Sequence, residues 1–408
     1  MCAWKILVLS LAMVIHAWAE SGTADLWILS GQSNACGHGD LPGPDPDPGV
    51  KMWNGQQFVE AKEPLATMNG SVGPWLFAAL EVAKAGKPIK LTGWAMGARS
   101  IDSWSETGPE WRAGNGQGLC PTIEQSGRNA GVFLWYQGET DGVNNMKADE
   151  YLAKLTDLVR RVRAQAKNPQ MMAVIVQIGL WGSTPGDFMP IREAQRRFVV
   201  DDGNALLVPA LGRSDYGDSV HLNTAGYKAL GHELARALLK VHYGKKDVNW
   251  PGPVMDSAAL ASNGKSVAVH FAEVKKLAGV KIEDFGVLDA VGPVPCVKAE
   301  AADTRVILTF ERVIKLPARV VCGFGQNPPA TLVDEAGNRA PAVQLDISAG
   351  AEPPDKETAA PNGAGRKAEA VEKDGKKKPH ERSIPHGCGS TGHRVADGNL
   401  RDTRRQTP

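Results

Sequence analysis

The sequence predicts a three-layer α/β domain built on a parallel sheet, then a small β-sandwich domain, then a disordered tail. Three observations carry that expectation. Between residues 25 and 243, short apolar runs alternate with amphipathic segments of helical period, the pattern of a sheet covered by helices on both faces. From about 247 to 348 the runs become alternating strands separated by turn residues, with no long helix. Beyond 351 the apolar clusters vanish and Pro, Gly, Ala, Lys and Glu dominate, so that segment cannot bury enough surface to offset its ordering entropy. A chain of 408 residues is too long for one ordinary core, and the division expected is 1–19, 20–246, 247–350 and 351–408.

The first segment reads as a signal peptide. Lys5 precedes the apolar run "ILVLSLAMVI", and Ala17 to Ala19 offer small residues for cleavage after Ala19. The run is too short to span a bilayer comfortably, so an exported chain without a membrane span is expected. A formal charge of +1 gives no reason to expect nucleic acid or an anionic membrane as partner. Cys2 leaves with the signal. Cys36, Cys120, Cys296, Cys322 and Cys388 then form an odd set without a CxxC pair, so no structural zinc is expected. Cys296 and Cys322, both in the β region, are the favoured partners for a disulfide, with unpaired thiols as the alternative.

The strands expected in the α/β domain are "DLWIL" from Asp25, "IKLTGWA" from Ile89, "GVFLWY" from Gly131, "MMAVIVQIG" from Met171 and "ALLVPA" from Ala205. Each is a continuous apolar run, as strands buried on both faces require. The helices between them are "PWLFAALEVAKAG", opened by Pro74 and closed by Gly86, then "DEYLAKLTDLVRRVRAQ", "PIREAQRRFVV" and "TAGYKALGHELARALLKV". In such a sheet, ligands bind outside the carboxyl ends of the strands.

The first strand runs directly into "SGQSN". Gly and Asn tolerate a tight bend, and hydrolase folds expose a nucleophilic serine at such a bend. Ser33 is the candidate nucleophile. Its base must come from His38, His221, His232 or His242, the histidines between the signal and the β region. His232 and His242 fall inside or just after the last helix, and His38, only five residues past Ser33, lines the site at most. His221 precedes a helix expected to start near Asn223 or Thr224 and stands three residues after Asp218. The Asp218 carboxylate can therefore take the Nδ1 proton and leave Nε2 as acceptor toward Ser33. Read alone, such a pair is more often a helix cap beside a packed ring. Donors for a developing oxyanion are expected from the Ser33 N–H, from Gly97 after the second strand and from Gln137 in "WYQGETDG", where Glu139 adds a carboxylate.

Taken together, "GQSN", "WYQGETD" and "DSVHLNTAGYKALG" resemble the sialate O-acetylesterase family, a carbohydrate-esterase branch of the SGNH hydrolases, over roughly 25–243. The resemblance implies an SGNH/flavodoxin-like sheet, Ser33 as nucleophile, His221 as base and Asp218 as orienting acid. It also implies an oxyanion hole from Ser33, Gly97 and Gln137, and Glu139 as an alternative or additional acid. The family's usual glycine pair after the second strand is here Gly97 followed by Ala98 and Arg99. The implied activity is hydrolysis of acetyl esters on an acetylated carbohydrate, with no metal or organic cofactor. Trp53, Trp75, Trp94, Trp104, Trp111, Trp135 and Trp181 near the strand ends are candidate surfaces for sugar rings, several of them core. An acetylxylan esterase or other polysaccharide deacetylase stays open as substrate reading, and a non-catalytic carbohydrate-binding protein is the alternative of another class. A lipase or thioesterase would want an apolar lid that the sequence lacks.

Overall fold

A seven-stranded sheet forms the centre of the α/β part in the computed structural model, which describes residues 23–182, 185–323 and 325–349. The expected cleavage site at Ala19 and the tail 351–408 lie outside the described residues. The strands are β1 (Asp25–Gly31), β2 (Val50–Trp53), β3 (Phe58–Glu60), β4 (Ile89–Ala95), β5 (Val132–Tyr136), β6 (Met172–Gln177) and β7 (Ala205–Pro209). Their order is β3-β2-β4-β1-β5-β6-β7, and all pairs are parallel except the edge pair of β2 and β3. Every side chain of β5 and β6 is buried, which explains their unbroken apolar sequence.

The helices are α1 (Ser33–Cys36), α2 (Pro74–Lys84), α3 (Leu119–Ser126), α4 (Glu139–Val143), α5 (Ala148–Gln165), α6 (Met189–Asp202) and α7 (Thr224–Val241). α2 packs against α7, while α5 packs against α3 and α6, so the two groups cover the two faces of the sheet. Pro74 opens α2, where its missing N–H costs nothing. Asn223 caps α7, its side chain accepting the Gly226 N–H at 3.0 Å. Among the described residues no helix is long and apolar enough to cross a membrane.

The C-terminal part packs two larger sheets over a shared apolar core, with a two-stranded pair of Leu277–Ala278 and Val333–Asp334 beside them. One holds Cys296–Ala302, Arg305–Phe310, Ser266–Ala272, Val254–Leu260 and Ser348–Ala349; the other holds Gly292–Val294, Phe285–Asp289, Arg319–Cys322 and Val343–Asp346. Val269, Val306 and Phe310 from the first meet Phe285, Val287 and Val320 from the second. The expected pair of Cys296 with Cys322 is not made, and Cys36 and Cys120 are also free. Cys296 begins a strand of one sheet and Cys322 ends a strand of the other, where burial pushes its thiol up to about 12.

Candidate active site

The sheet register itself assembles the site. Gly31 of β1 pairs with Ala95 of β4 on one side and with Tyr136 of β5 on the other, so three strands end at one level. Ser33, Gly97 and Gln137 follow those three ends directly. Gly31 must be glycine, because its φ is +140° and a Cβ would lie 2.0 Å from the Tyr136 carbonyl oxygen. The chain then turns at Gln32, whose N–H donates to Tyr136 O at 3.0 Å, and Ser33 opens the short α1, half-buried.

Asp218 and His221 arrive from the loop between β7 and α7. That loop folds on itself: Gly217 N–H donates to His221 O at 2.9 Å, and Asn223 N–H donates to Asp215 O at 2.9 Å. His221 Nδ1 lies 2.7 Å from Asp218 Oδ2, and its Nε2 lies 2.9 Å from Ser33 Oγ. With Nδ1–H donating to the carboxylate, Nε2 is the acceptor for the Ser33 hydroxyl. The other oxygen, Asp218 Oδ1, accepts the N–H groups of Val220 at 2.8 Å and His221 at 2.7 Å. Partial burial pushes the Asp218 pKa up, but the bonds from the His221 ring and these two N–H groups outweigh it and hold it down at about 2. Asp218 thus stays ionised across the neutral range.

Asn34, beside Ser33, ties this loop to the sheet. Its Nδ2 donates to Glu139 Oε1 at 2.9 Å and to Val220 O at 3.2 Å, and its Oδ1 accepts from Tyr227 Oη at 2.8 Å. Glu139 therefore faces Asn34, while the partner of the His221 ring at Nδ1 is Asp218. It is fully buried, its Oε2 has no partner among the described residues, and burial raises its pKa against the lowering bond from Asn34. Of the two carboxylates, Asp218 is the one beside the His221 ring.

His38 lies face to face on His221, with ring centroids 3.7 Å apart and planes 5° from parallel. Its loop is fastened to the first turn of α7, where Thr224 Oγ1 accepts the Asp40 N–H at 2.8 Å. Burial lowers the His38 pKa, and the neighbouring His221 lowers it further against a raising effect of Asp218. The sequence placed His38 at the edge of the site without foreseeing the stack.

Gly97 lies beside Ser33: a Cβ on it would sit in ordinary contact, 3.5 Å from Ser33 Cβ. Neither Ser33 N–H nor Gly97 N–H has a backbone or side-chain acceptor among the described residues. Ala98 takes a left-handed φ of 55°, so the position where the family's second glycine is expected keeps a glycine-like backbone at a cost of about 1–2 kcal/mol.

Gln137, expected as an oxyanion donor, turns its amide into the protein. Its side chain is fully buried, and Nε2 is taken up by Arg99 O at 2.9 Å, by the Asp141 carboxylate and by Gln32 Oε1 at 3.2 Å. Two hydrogens facing three internal acceptors leave none for a ligand. Asp141 in turn accepts from Ser100 Oγ at 2.6 Å and Ile101 N–H at 3.2 Å. Gln137 and Asp141 together hold the loop that carries Gly97.

Of the seven candidate tryptophans, Trp53, Trp75, Trp104, Trp111 and Trp135 are buried in the core. Trp94 and Trp181 keep exposed surface, and Trp94 Nε1 donates to Glu110 at 2.8 Å. Among the described residues no group of three His, Cys, Asp or Glu side chains is arranged to hold a metal.

Residues 23–240, more than half of the chain, match the family described as carbohydrate esterase, sialic acid-specific acetylesterase. A probable carbohydrate esterase of Arabidopsis thaliana is 27% identical over 245 residues, covering 52% of this chain and 90% of that protein. A solved carbohydrate acetylesterase from Xanthomonas citri shares the fold, with a TM-score of 0.61 at 20% identity over 79% of this chain and 80% of its own. The X-ray structure of an Arabidopsis thaliana protein is 25% identical and covers 53% of this chain and 98% of its own, with a TM-score of 0.47. The matched span encloses the seven-stranded sheet together with the Ser33 and His221 loops, and the chain belongs to the sialic acid-specific acetylesterase family of carbohydrate esterases.

Proposed function

We propose that the protein removes acetyl groups from sugar hydroxyls by a serine acyl-enzyme route, with Ser33, His221 and Asp218 as its triad. The observation that carries the reading is the unbroken line from Asp218 through His221 to Ser33, at 2.7 and 2.9 Å. His221 Nε2 takes the Ser33 proton as Oγ attacks the acetyl carbonyl carbon. Negative charge gathers on the carbonyl oxygen, where the Ser33 and Gly97 N–H groups are the available donors. The imidazolium, steadied by the ionised Asp218, gives its proton to the departing sugar oxygen, leaving acetyl-Ser33. Water then attacks that ester, again losing its proton to His221, and acetate leaves as Ser33 recovers its hydrogen. Residues 20–246 are proposed as the catalytic domain, and residues 1–19 as the export signal.

A series of p-nitrophenyl esters tests this directly, followed by a panel of acetylated glycans. Acetate should be turned over much faster than butyrate or octanoate, and free acetate should appear from at least one acetylated sugar. Preference for octanoate would make the protein a lipase on the same scaffold, and no turnover of any ester would favour a carbohydrate-binding role.

A further inference from the structure

The β-rich C-terminal part is bonded into the loops around the candidate site. Gln177, fully buried at the end of β6, exchanges two bonds with the Ala342 backbone: Nε2 donates to Ala342 O at 2.9 Å, and Ala342 N–H donates to Oε1 at 2.7 Å. Arg192 of α6 is also fully buried and donates to four carbonyls. Two follow β6, Ile178 O at 3.2 Å and Gly179 O at 2.5 Å; two belong to the β-rich part, Gly325 O at 2.6 Å and Gln326 O at 2.9 Å. Met189 and Leu211 pack with Val321, Ala330 and Ala342 across the same seam. These contacts make the turn at 325–327 a fixed support.

That turn holds one residue by both of its backbone groups. Asn327 Oδ1 accepts the Trp181 N–H at 3.1 Å, and Gln326 Nε2 donates to Trp181 O at 2.6 Å. The next residue, Gly182, donates its N–H to Ser219 O at 2.7 Å. Ser219 stands between Asp218 and Val220 in the loop that carries His221. The path from the β-rich part to the candidate acid is therefore Asn327 and Gln326, then Trp181 and Gly182, then Ser219.

We infer that the β-rich part is a working component of the esterase site, whose 325–327 turn sets the position of the Asp218–His221 loop through Trp181 and Gly182. The inference rests on the triad reading given above. Asn327 and Gln326 are positioning residues, bonded to neither Ser33 nor His221. A surface loop held only by its own chain would sample several placements, and the His221–Ser33 line tolerates little of this, since a misplacement of about 1 Å can cost about a hundredfold in rate. Asn327 itself is exposed, so removing its amide should hardly disturb global stability.

The test uses the full chain with Asn327→Ala and Asn327→Asp, the latter keeping an acceptor for the Trp181 N–H. For each, kcat and KM on p-nitrophenyl acetate are measured with the melting temperature and the rate at which a serine-directed phosphonate labels Ser33. Asn327→Ala should lower kcat and the labelling rate together by roughly tenfold or more, with KM and melting temperature near the parent values. Asn327→Asp should recover most of both rates. Parent-like rates in the alanine variant, or an aspartate variant as slow as alanine, would overturn the inference alone. A parent that neither hydrolyses the ester nor labels at Ser33 would overturn the triad reading and this inference with it.

Discussion

Replacing Gln137 by alanine separates two roles that the sequence alone does not distinguish. In the structure its amide is an internal brace, so the substitution should act first on stability. Arg99 O loses its amide donor, which costs about 1–3 kcal/mol where water does not take the donor's place. The bond to the Asp141 carboxylate adds about 1.5–3 kcal/mol, as bonds to charged groups do. Tyr151 keeps its bond to the Gln137 backbone oxygen at 2.9 Å, and Asp141 keeps Ser100 and Ile101, so neither is orphaned. The total is about 3–6 kcal/mol, a fall in melting temperature on the order of 10 °C for a unit of this size. Activity should fall only as far as the Gly97 loop loosens. Differential scanning calorimetry and steady-state kinetics on one preparation decide the matter. An oxyanion donor would instead cost about 10²–10³ in kcat. That loss at an unchanged melting temperature would refute the brace.

Asp218→Asn should lower kcat by about 10⁴, the cost of the equivalent change in a serine protease, while Glu139→Gln costs far less; stopped-flow or steady-state rates on an acetyl ester rank the two. The Asp218 carboxyl is held at about 2 against an ordinary 3.8, so the stability it contributes is full above 3.8 and is lost as pH falls through about 2. In acid unfolding, the stability gap between the parent and Asp218→Asn should therefore close over that interval, and a gap that widens would contradict the sign. His38→Ala should slow kcat about two- to tenfold, the equivalent of an aromatic contact of about 0.5–1.5 kcal/mol, and His38→Phe should restore most of it. Equal rates in all three would show that the stacked ring does not steady His221.

Much of this arrangement was legible because buried parallel strands and amphipathic helices write their periods into the sequence. β4 and α7 begin and end where the sequence reading puts them, at Ile89–Ala95 and Thr224–Val241. β2 and β3 escaped notice because they are only four and three residues long, β3 forms the sheet edge, and both keep half-buried or exposed positions such as Lys51 and Glu60. α1 and α4, of four and five residues, are too short to show a helical period at all. At the site, the sequence picked out Ser33, Gly97, Asp218 and His221, which the fold brings together. It missed Asn34, whose bond to Val220 crosses 186 positions, and the stacking of His38, which depends on how Thr224 fastens a distant loop. Asn34 and Asp141 both lie inside the motifs singled out, so the signal was present without its geometry. Gln137 and Glu139 were placed at the correct strand end, yet whether an amide or carboxyl there faces a ligand or a neighbour depends on Asp141, Arg99 and Asn34. The Cys296–Cys322 pairing failed for a similar reason, because membership of one β domain does not bring two cysteines within disulfide reach.

Whether Ser33 is a nucleophile activated by His221 is decided by treating the full chain with a serine-directed phosphonate and locating the label by peptide mass spectrometry. One modified residue is expected, Ser33, with modification lost in Ser33→Ala and strongly slowed in His221→Ala, each variant keeping the parent melting temperature. Labelling at a different serine, or at Ser33 with equal speed when His221 is absent, would contradict it.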